Sequence, residues 1–310
     1  MNSKSNLIYR LSKSTFIISK TLRKMNVNPF FSRKFNKRRH ERNLAYLRNK
    51  YSNTIDKYKN ISTVEYDRYS NNKYIWVLWL QGERMAPAIV QSCIKSIRQN
   101  TLDCEVIILS EENLGQYITM SDIIMQKLED GTITYTHFSD IVRFNLLRSY
   151  GGLWMDATLL TVSPLNREYF SSFYTSGPYQ DKEFFNVSEG KWTGFLIGGP
   201  SNDALFHFMY DFFLTYWENE EKLIDYFLID YGLEIAYLEN IGGLRFFVEN
   251  RGLSNPNLFE LAPYLGQEYS EKKFLEMKKD TDLFKLSYKI NEKTIDKTDK
   301  TFYGQLIGDN

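Results

Sequence analysis

From Tyr74 onward the chain alternates between short apolar runs and stretches of helical periodicity. Tyr74 to Leu80 reads YIWVLWL, the length of a buried strand, and Gln81-Gly82 stops it. Pro87 stands in the first turn of the next predicted helix, where a proline is tolerated. Ile89, Val90, Cys93, Ile94 and Ile97 then recur at helical spacing to about Gln99. Glu105 to Leu109, EVIIL, is a second strand. Strand, helix and strand at this spacing predict a βαβ unit with parallel strands.

The stretch His137 to Thr158, HFSDIVRFNLLRSYGGLWMDAT, predicts a helix, a glycine break, a strand and a carboxylate. Thr136 is the expected N-cap, and Phe138, Ile141, Val142 and Leu146 form the apolar stripe. Gly151 and Gly152 end the helix. Leu153, Trp154 and Met155 are too short a run for a helix, and the strand they predict delivers Asp156 at its C-terminal end. An open α/β sheet places its chemistry there. Asp140 and Arg143 are three apart and share a helix face. Two bland readings stay open: Asp140 and Arg143 as a solvated surface pair worth a few tenths of a kcal/mol, and Asp156 as a turn former.

Downstream, Ser163-Pro164-Leu165 starts a connection and Phe195 to Ile197 forms a strand between glycine turns. Asp203 to Trp217 and Lys222 to Tyr237 are aromatic-rich helices. Asn255-Pro256 is a turn and Glu271 to Lys279 a charged helix. Phe284 to Lys289 alternates as a strand, and Thr301 to Ile307 closes the sequence. The expected class is α/β.

Charge divides the chain. Residues 1–50 hold 14 lysines and arginines against Glu41 alone, a net +13, while the remainder holds 25 basic and 37 acidic side chains, a net −12. Leu7, Leu11, Ile18, Leu22 and Met25 form one stripe of a first helix over residues 1–28, with Lys13, Lys20 and Lys24 opposite. Asn28-Pro29 breaks it, and a second helical stretch runs from Phe30 to about Lys59. Residues 1–60 are therefore read as a basic amphipathic arm, 61–73 as a polar linker and 74–310 as the main domain. A basic amphipathic helix suits a membrane surface; nucleic-acid binding and a plain basic tail are the competing readings.

Hydrophobic residues make up 43% and charged residues 25%, ordinary for a globular protein. The longest apolar run, Tyr74 to Leu80, falls far below the ~18–20 residues that span a bilayer. No signal peptide is expected. Cys93 and Cys104 have no metal-ligand spacing and read as reduced thiols.

Taken together, several of these stretches resemble one family. Ser139-Asp140-x-x-Arg143 followed by Gly151-Gly152-Leu153-Trp154-x-Asp156-Ala157-Thr158 is similar to the capsular polysaccharide synthesis proteins related to family 32 glycosyltransferases. So are the stretch from Ile75 through Gln81-Gly82-Glu83 to Ile97, the Lys191-Trp192-Thr193 segment, and LIDYFLIDYGLEIAY. The resemblance spans roughly residues 74–307. It implies a single GT-A type domain, a Rossmann-like nucleotide-diphospho-sugar transferase, with an N-terminal basic helical extension. It further implies transfer of a sugar from a nucleotide-sugar donor, with retention, to a lipid-linked oligosaccharide acceptor in bacterial capsule or surface polysaccharide synthesis.

That resemblance assigns expected roles. Asp156 and Asp140 are the expected catalytic residues. Gln81, Gly82, Asp140, Arg143, Gly152 and Trp192 are expected at the donor, and Asp156 and Thr158 at a Mn²⁺ or Mg²⁺ ion on its diphosphate. Relatives carry Asp-x-Asp at the strand end; this chain has Thr158 in the second place. Related sites also use a late histidine as metal ligand, and none follows His207. Gly82 has an alternative reading as a turn glycine, and Trp192 as a core tryptophan. The expected location is cytoplasmic, peripheral at the inner face of the cell membrane, held to anionic lipid through residues 1–50, with no nucleic-acid partner. A protein-modifying transferase and a degenerate sugar-nucleotide-binding protein are the alternatives.

Overall fold

The computed structural model describes residues 3–25, 28–59, 61, 74–101, 103–170, 172–181, 184–290, 296 and 298–308. Apart from Ile61, the expected linker lies outside the described residues.

Three helices precede the sheet: α1 (Ser3–Lys24), α2 (Pro29–Lys50) and α3 (Ser52–Tyr58). Pro29 is the first residue of α2, where its missing N–H costs nothing, and the Asn28 side chain caps the helix by accepting from the Phe30 N–H at 2.9 Å. Strand β1 (Tyr74–Leu78), helix α4 (Ala88–Asn100) and strand β2 (Glu105–Leu109) form the predicted βαβ unit, paired in parallel from Tyr74↔Glu105 to Leu78↔Leu109. Helices α5 (Asp122–Glu129) and α6 (Tyr135–Tyr150) lead into β3 (Gly152–Met155), which pairs in parallel with β1. After β4 (Leu159–Thr161) and β5 (Tyr174–Thr175), β6 (Leu196–Gly199) runs antiparallel to both β3 and β5. The rest comprises α7 (Ala204–Asn219), α8 (Leu228–Leu238), α9 (Leu244–Asn250), α10 (Glu271–Lys278), β7 (Leu283–Lys285) and α11 (Phe302–Leu306).

The body is thus mixed α/β. Its main sheet has the order β2-β1-β3-β6-β5, and β4 and β7 form a separate antiparallel pair. Alternation along the strands sorts the core into two faces. Trp76 and Trp154 point into the aromatic cluster of α6, α7 and α8. Ile75, Val77, Leu153 and Met155 point into the aliphatic cluster of α4 and the C-terminal segments. At Gly152 a Cβ atom would come within 2.5 Å of the Tyr74 carbonyl oxygen, and φ is +94°; glycine is what lets β3 enter the sheet beside β1.

Some boundaries differ from the sequence expectation. Thr134, not Thr136, caps α6, accepting from the His137 N–H at 3.3 Å, so the helix starts earlier. Residues 222–227 are not helical. The Tyr216 hydroxyl ties them into a turn, donating to the Lys222 carbonyl at 2.6 Å and accepting from the Ile224 N–H at 2.7 Å. β7 also ends at Lys285 and not Lys289, because only Leu283 to Lys285 find partners on β4.

The basic helices are docked on the body. Ser5, Ser12 and Ser19, seven apart on one face of α1, are buried, whereas Leu7, Leu11, Ile17, Ile18 and Met25 are exposed. The polar face of α1 therefore packs inward. Ser12 Oγ donates to Asp225 Oδ2 at 2.9 Å, and Asn43 Nδ2 donates to Ser12 Oγ at 2.8 Å. Arg39, wholly buried, lies 3.3 Å from Asp225 through Nε. On α2 and α3, Leu47, Tyr51, Ile55 and Tyr58 join the aromatic cluster. Glu220, at the end of α7, accepts from Tyr46 at 2.6 Å and Lys50 at 2.5 Å. Among the described residues no helix is long and apolar enough to cross a membrane.

Removing one partner of a buried ion pair costs about 3–5 kcal/mol, because the other charge is left desolvated. Asp225→Ala is therefore expected to lower the melting temperature sharply and to open α1 and α2 to protease. The double replacement Arg39→Met with Asp225→Leu should recover part of that loss. A melting temperature for Asp225→Ala equal to wild type would show that this pair does not hold the helices down.

Candidate active site

An open cleft of about 820 Å³ lies over the C-terminal end of β3. Asp156 follows the last residue of that strand, and its backbone N–H donates to the Phe195 carbonyl at 2.9 Å, continuing the β3–β6 pairing. Each carboxylate oxygen is engaged. Oδ1 accepts from Trp154 Nε1 at 2.9 Å and from Arg143 Nη2 at 3.4 Å; Oδ2 accepts from Lys285 Nζ at 2.8 Å. Burial pushes the Asp156 carboxyl up, but the Lys285 and Arg143 charges and the hydrogen bonds from Lys285 and Trp154 outweigh it. The group is held below the usual carboxylate range.

Behind Asp156 a ladder of polar side chains descends along α6. Arg143 Nη1 donates to Asp140 Oδ1 at 2.9 Å, and the guanidinium lies over the Trp154 ring, 4.8 Å from its centre. Asp140 and Arg143 are both buried, so they are not a solvated surface pair. His137 Nδ1 lies 3.4 Å from Asp140 Oδ2, and Trp217 Nε1 donates to His137 Nε2 at 2.9 Å. An indole N–H only donates, so Nε2 accepts and the ring proton sits on Nδ1, facing Asp140.

A further carboxylate lines the cleft from α8. Asp230 Oδ1 accepts from Trp192 Nε1 at 3.2 Å. Burial raises the Asp230 carboxyl, the Trp192 hydrogen bond opposes that and Asp140 adds to it, leaving the group at about 7. Asp230 thus carries an exchangeable proton in the neutral range, as a general acid or base requires.

The cleft brings together Gln81, Asp140, Arg143, Asp156, Thr158 and Trp192. Gly82 is not in its lining; φ of +81° with open space around it matches a turn glycine. Gly152 is buried inside the sheet, against Tyr74. Trp192 is both core and site: the ring is buried, while the indole N–H fixes Asp230. His207 does not reach the cleft lining and bonds the Ser201 carbonyl at 3.0 Å. Sequence reasoning missed Asp230 and Lys285. Asp230 was visible only as the second of two Ile-Asp-Tyr triplets, Ile224 to Tyr226 and Ile229 to Tyr231. Lys285 gave no signal, since an alternating strand with lysines on it is commonplace.

The side chains present do not fit a divalent ion. Asp156 is the sole carboxylate on its turn, and cationic nitrogens already occupy both its oxygens. Thr158 Oγ1 faces Lys285 Nζ at 2.7 Å. Among the described residues no three His, Cys, Asp or Glu side chains converge on a point where a metal could sit.

Residues 23–306 match the family described as "Capsular polysaccharide synthesis protein". Among curated proteins, the chain is 24% identical over 162 residues to "Glycosyltransferase afumC" of Aspergillus fumigatus, covering 48% of this chain and 41% of that protein. It is 30% identical over 97 residues to "O-glycosyltransferase braB" of Annulohypoxylon truncatum, covering 28% and 23%. The chain therefore spans less than half the length of the curated relatives it matches. No solved structure matches it significantly.

The raised Asp230 carboxyl has a consequence for stability. The unfolded chain ionises this group near 3.8 and the folded protein near 7, so its contribution is full below about 3.8 and is lost as pH rises through about 7. Asp230→Asn removes that loss. Relative to wild type, the variant should gain melting temperature between about pH 5 and pH 8, by an increment on the order of 1 kcal/mol or more. Parallel profiles across this range would mean that Asp230 ionises normally.

Proposed function

Since the chain belongs to the capsular polysaccharide synthesis protein family, we propose that it is a glycosyltransferase that binds a nucleotide-sugar donor in the cleft over β3. The observation that carries this reading is the run Asp140, Arg143, Asp156 and Lys285, an alternation of carboxylates and cations at the end of a central parallel strand. A parallel β2-β1-β3 core with a cleft beyond its strand ends is suited to a GT-A type, Rossmann-like nucleotide site. The bond from the anomeric carbon to the diphosphate breaks with its electron pair leaving on the diphosphate. Arg143 stands where it can meet that charge, its planar fork matching phosphate oxygens. Asp140, backed by His137, orients Arg143, and Asp230 is the group in the cleft poised to exchange the acceptor hydroxyl's proton. We take the transfer to proceed with retention, as in the family.

The acceptor side of the proposal rests on α1. Its exposed face carries Leu7, Leu11, Ile17 and Ile18 beside Arg10, Lys13 and Lys20, while Ser5, Ser12 and Ser19 face the body. An apolar stripe fringed by cations fits the headgroup region of an anionic leaflet, at ~1 kcal/mol for each basic residue near the surface. The protein would then sit at the cytoplasmic face of the cell membrane, beside a lipid-linked oligosaccharide acceptor.

Two measurements test these parts separately. In a melting-temperature panel of sugar nucleotides, one donor at ~100 times its dissociation constant should add ~2.7 kcal/mol of stability, and Arg143→Lys should weaken that donor about tenfold or more. A panel in which no sugar nucleotide stabilises the protein or is hydrolysed would sink the transferase reading. For the membrane, replacing Leu7, Leu11 and Ile18 by Glu should abolish flotation with phosphatidylglycerol vesicles and leave the melting temperature nearly unchanged, since all three are exposed. Point changes are needed because removing residues 1–60 would strip a packed layer from α7 and α8. Flotation that survives these changes places the membrane contact elsewhere.

A further inference from the structure

The ammonium of Lys285 lies in the pocket that the strand-end turn forms with its own side chains. The register of β7 on β4 pairs Leu159 with Lys285, which brings the lysine alongside Asp156-Ala157-Thr158. Two backbone bonds fix it there: Lys285 N–H to the Leu258 carbonyl at 2.7 Å, and Leu286 N–H to the Thr158 carbonyl at 2.9 Å. Nζ donates to Asp156 Oδ2 at 2.8 Å and Thr158 Oγ1 at 2.7 Å, and sits 4.6 Å from the centre of the Phe195 ring. Asp156, Thr158 and Phe195 all line the cleft, and Lys285 sits directly behind them, outside the lining itself. An ammonium has three N–H donors; among the described residues the third has no acceptor, and the side chain keeps 20% of its exposure.

We infer that Lys285 is the built-in cation for the donor's diphosphate, so that this site binds a nucleoside diphosphate without a divalent ion. The inference deepens the donor reading above and rests on it. A strand-end turn with two carboxylates attracts a divalent cation. Here the second position is Thr158, a neutral acceptor, and the neutral acceptor and the remaining carboxylate together bind one ammonium. Asp140 and Asp156 are balanced by Arg143 and Lys285, so an arriving diphosphate meets cations already desolvated and held in place. A divalent ion entering the same turn would have to displace Lys285 from Asp156 against the repulsion of two fixed positive charges. The cations of the site are preorganised, with no separate ion to recruit.

The test is calorimetric binding of UDP, GDP, ADP and dTDP to the full chain, in EDTA and in Mn²⁺. The wild type should bind one of them with dissociation constants within about threefold in the two conditions. In EDTA, Lys285→Met should weaken that binding about tenfold or more, and Lys285→Arg should stay within a few-fold of wild type. The wild-type comparison stands even if the methionine variant does not fold. Binding by wild type only when Mn²⁺ is present overturns the inference and leaves the donor reading intact. So does wild-type affinity of a folded Lys285→Met in EDTA. No binding of any diphosphate in either condition overturns both.

Discussion

A half-buried carboxylate at the end of a central strand cannot stand alone, and neutralising Asp156 organises the rest of the site. Its partners come from three places: Trp154 from its own strand, Arg143 from α6 and Lys285 from β7, at 2.9, 3.4 and 2.8 Å. Desolvation penalises an unpaired charge by several kcal/mol. The carboxylate therefore draws the preceding helix and a strand far along the chain onto one point. The small β4–β7 sheet has a clear purpose in this light. It is too short to add much stability by itself, but it sets the register that delivers the Lys285 ammonium. Arg143 in turn needs Asp140, and Asp140 faces the His137 N–H that Trp217 orients. The polar ladder thus runs from the cleft into the aromatic cluster, each side chain held by the next.

The helices before the sheet follow a second constraint. α1 buries polar residues where a core-facing helix usually buries apolar ones, with Ser5, Ser12 and Ser19 inward and Leu7, Leu11, Ile17 and Ile18 outward. Buried acids hold this face down: Asp225 accepts from Ser12 and Asn43 and pairs with the charge of Arg39, and Ser5 reaches Tyr46 and Glu220. The same short segment carries Asp230 into the cleft. One Ile-Asp-Tyr triplet therefore anchors the basic helices, and the next contributes a carboxyl at about 7 to the site. The outward aliphatic face of α1 and the cleft are thus tied to the two ends of a few residues around the start of α8.

Periodicity and glycine placement determined the local structure. The run from Tyr74, the helical spacing from Ile89 to Ile97 and the Gly151-Gly152 break before Leu153 each reflect rules that act within a few residues, and the parallel β1-α4-β2 unit and the β3 strand follow from them. The position of Asp156 at a strand end was legible for the same reason. The pairing of Asp140 with Arg143 was legible as spacing only. Whether it faced water or the interior depended on α7 and α8 packing over α6, which no local rule encodes.

Tertiary structure decided what the sequence pattern leaves undetermined. Lys285 reached Asp156 across 129 positions of chain because β7 found β4, and a long-range pairing of three residues has no local signature. Asp230 was hidden inside a helix signal because its role depends on which side of α8 meets Trp192. The direction of α1 was the least legible of all. Its hydrophobic pattern shows an apolar stripe, but burial is settled by the partner surface. That surface offered Asp225 and Glu220, which take Ser12 and Ser5, and it left Leu7, Leu11, Ile17 and Ile18 facing out.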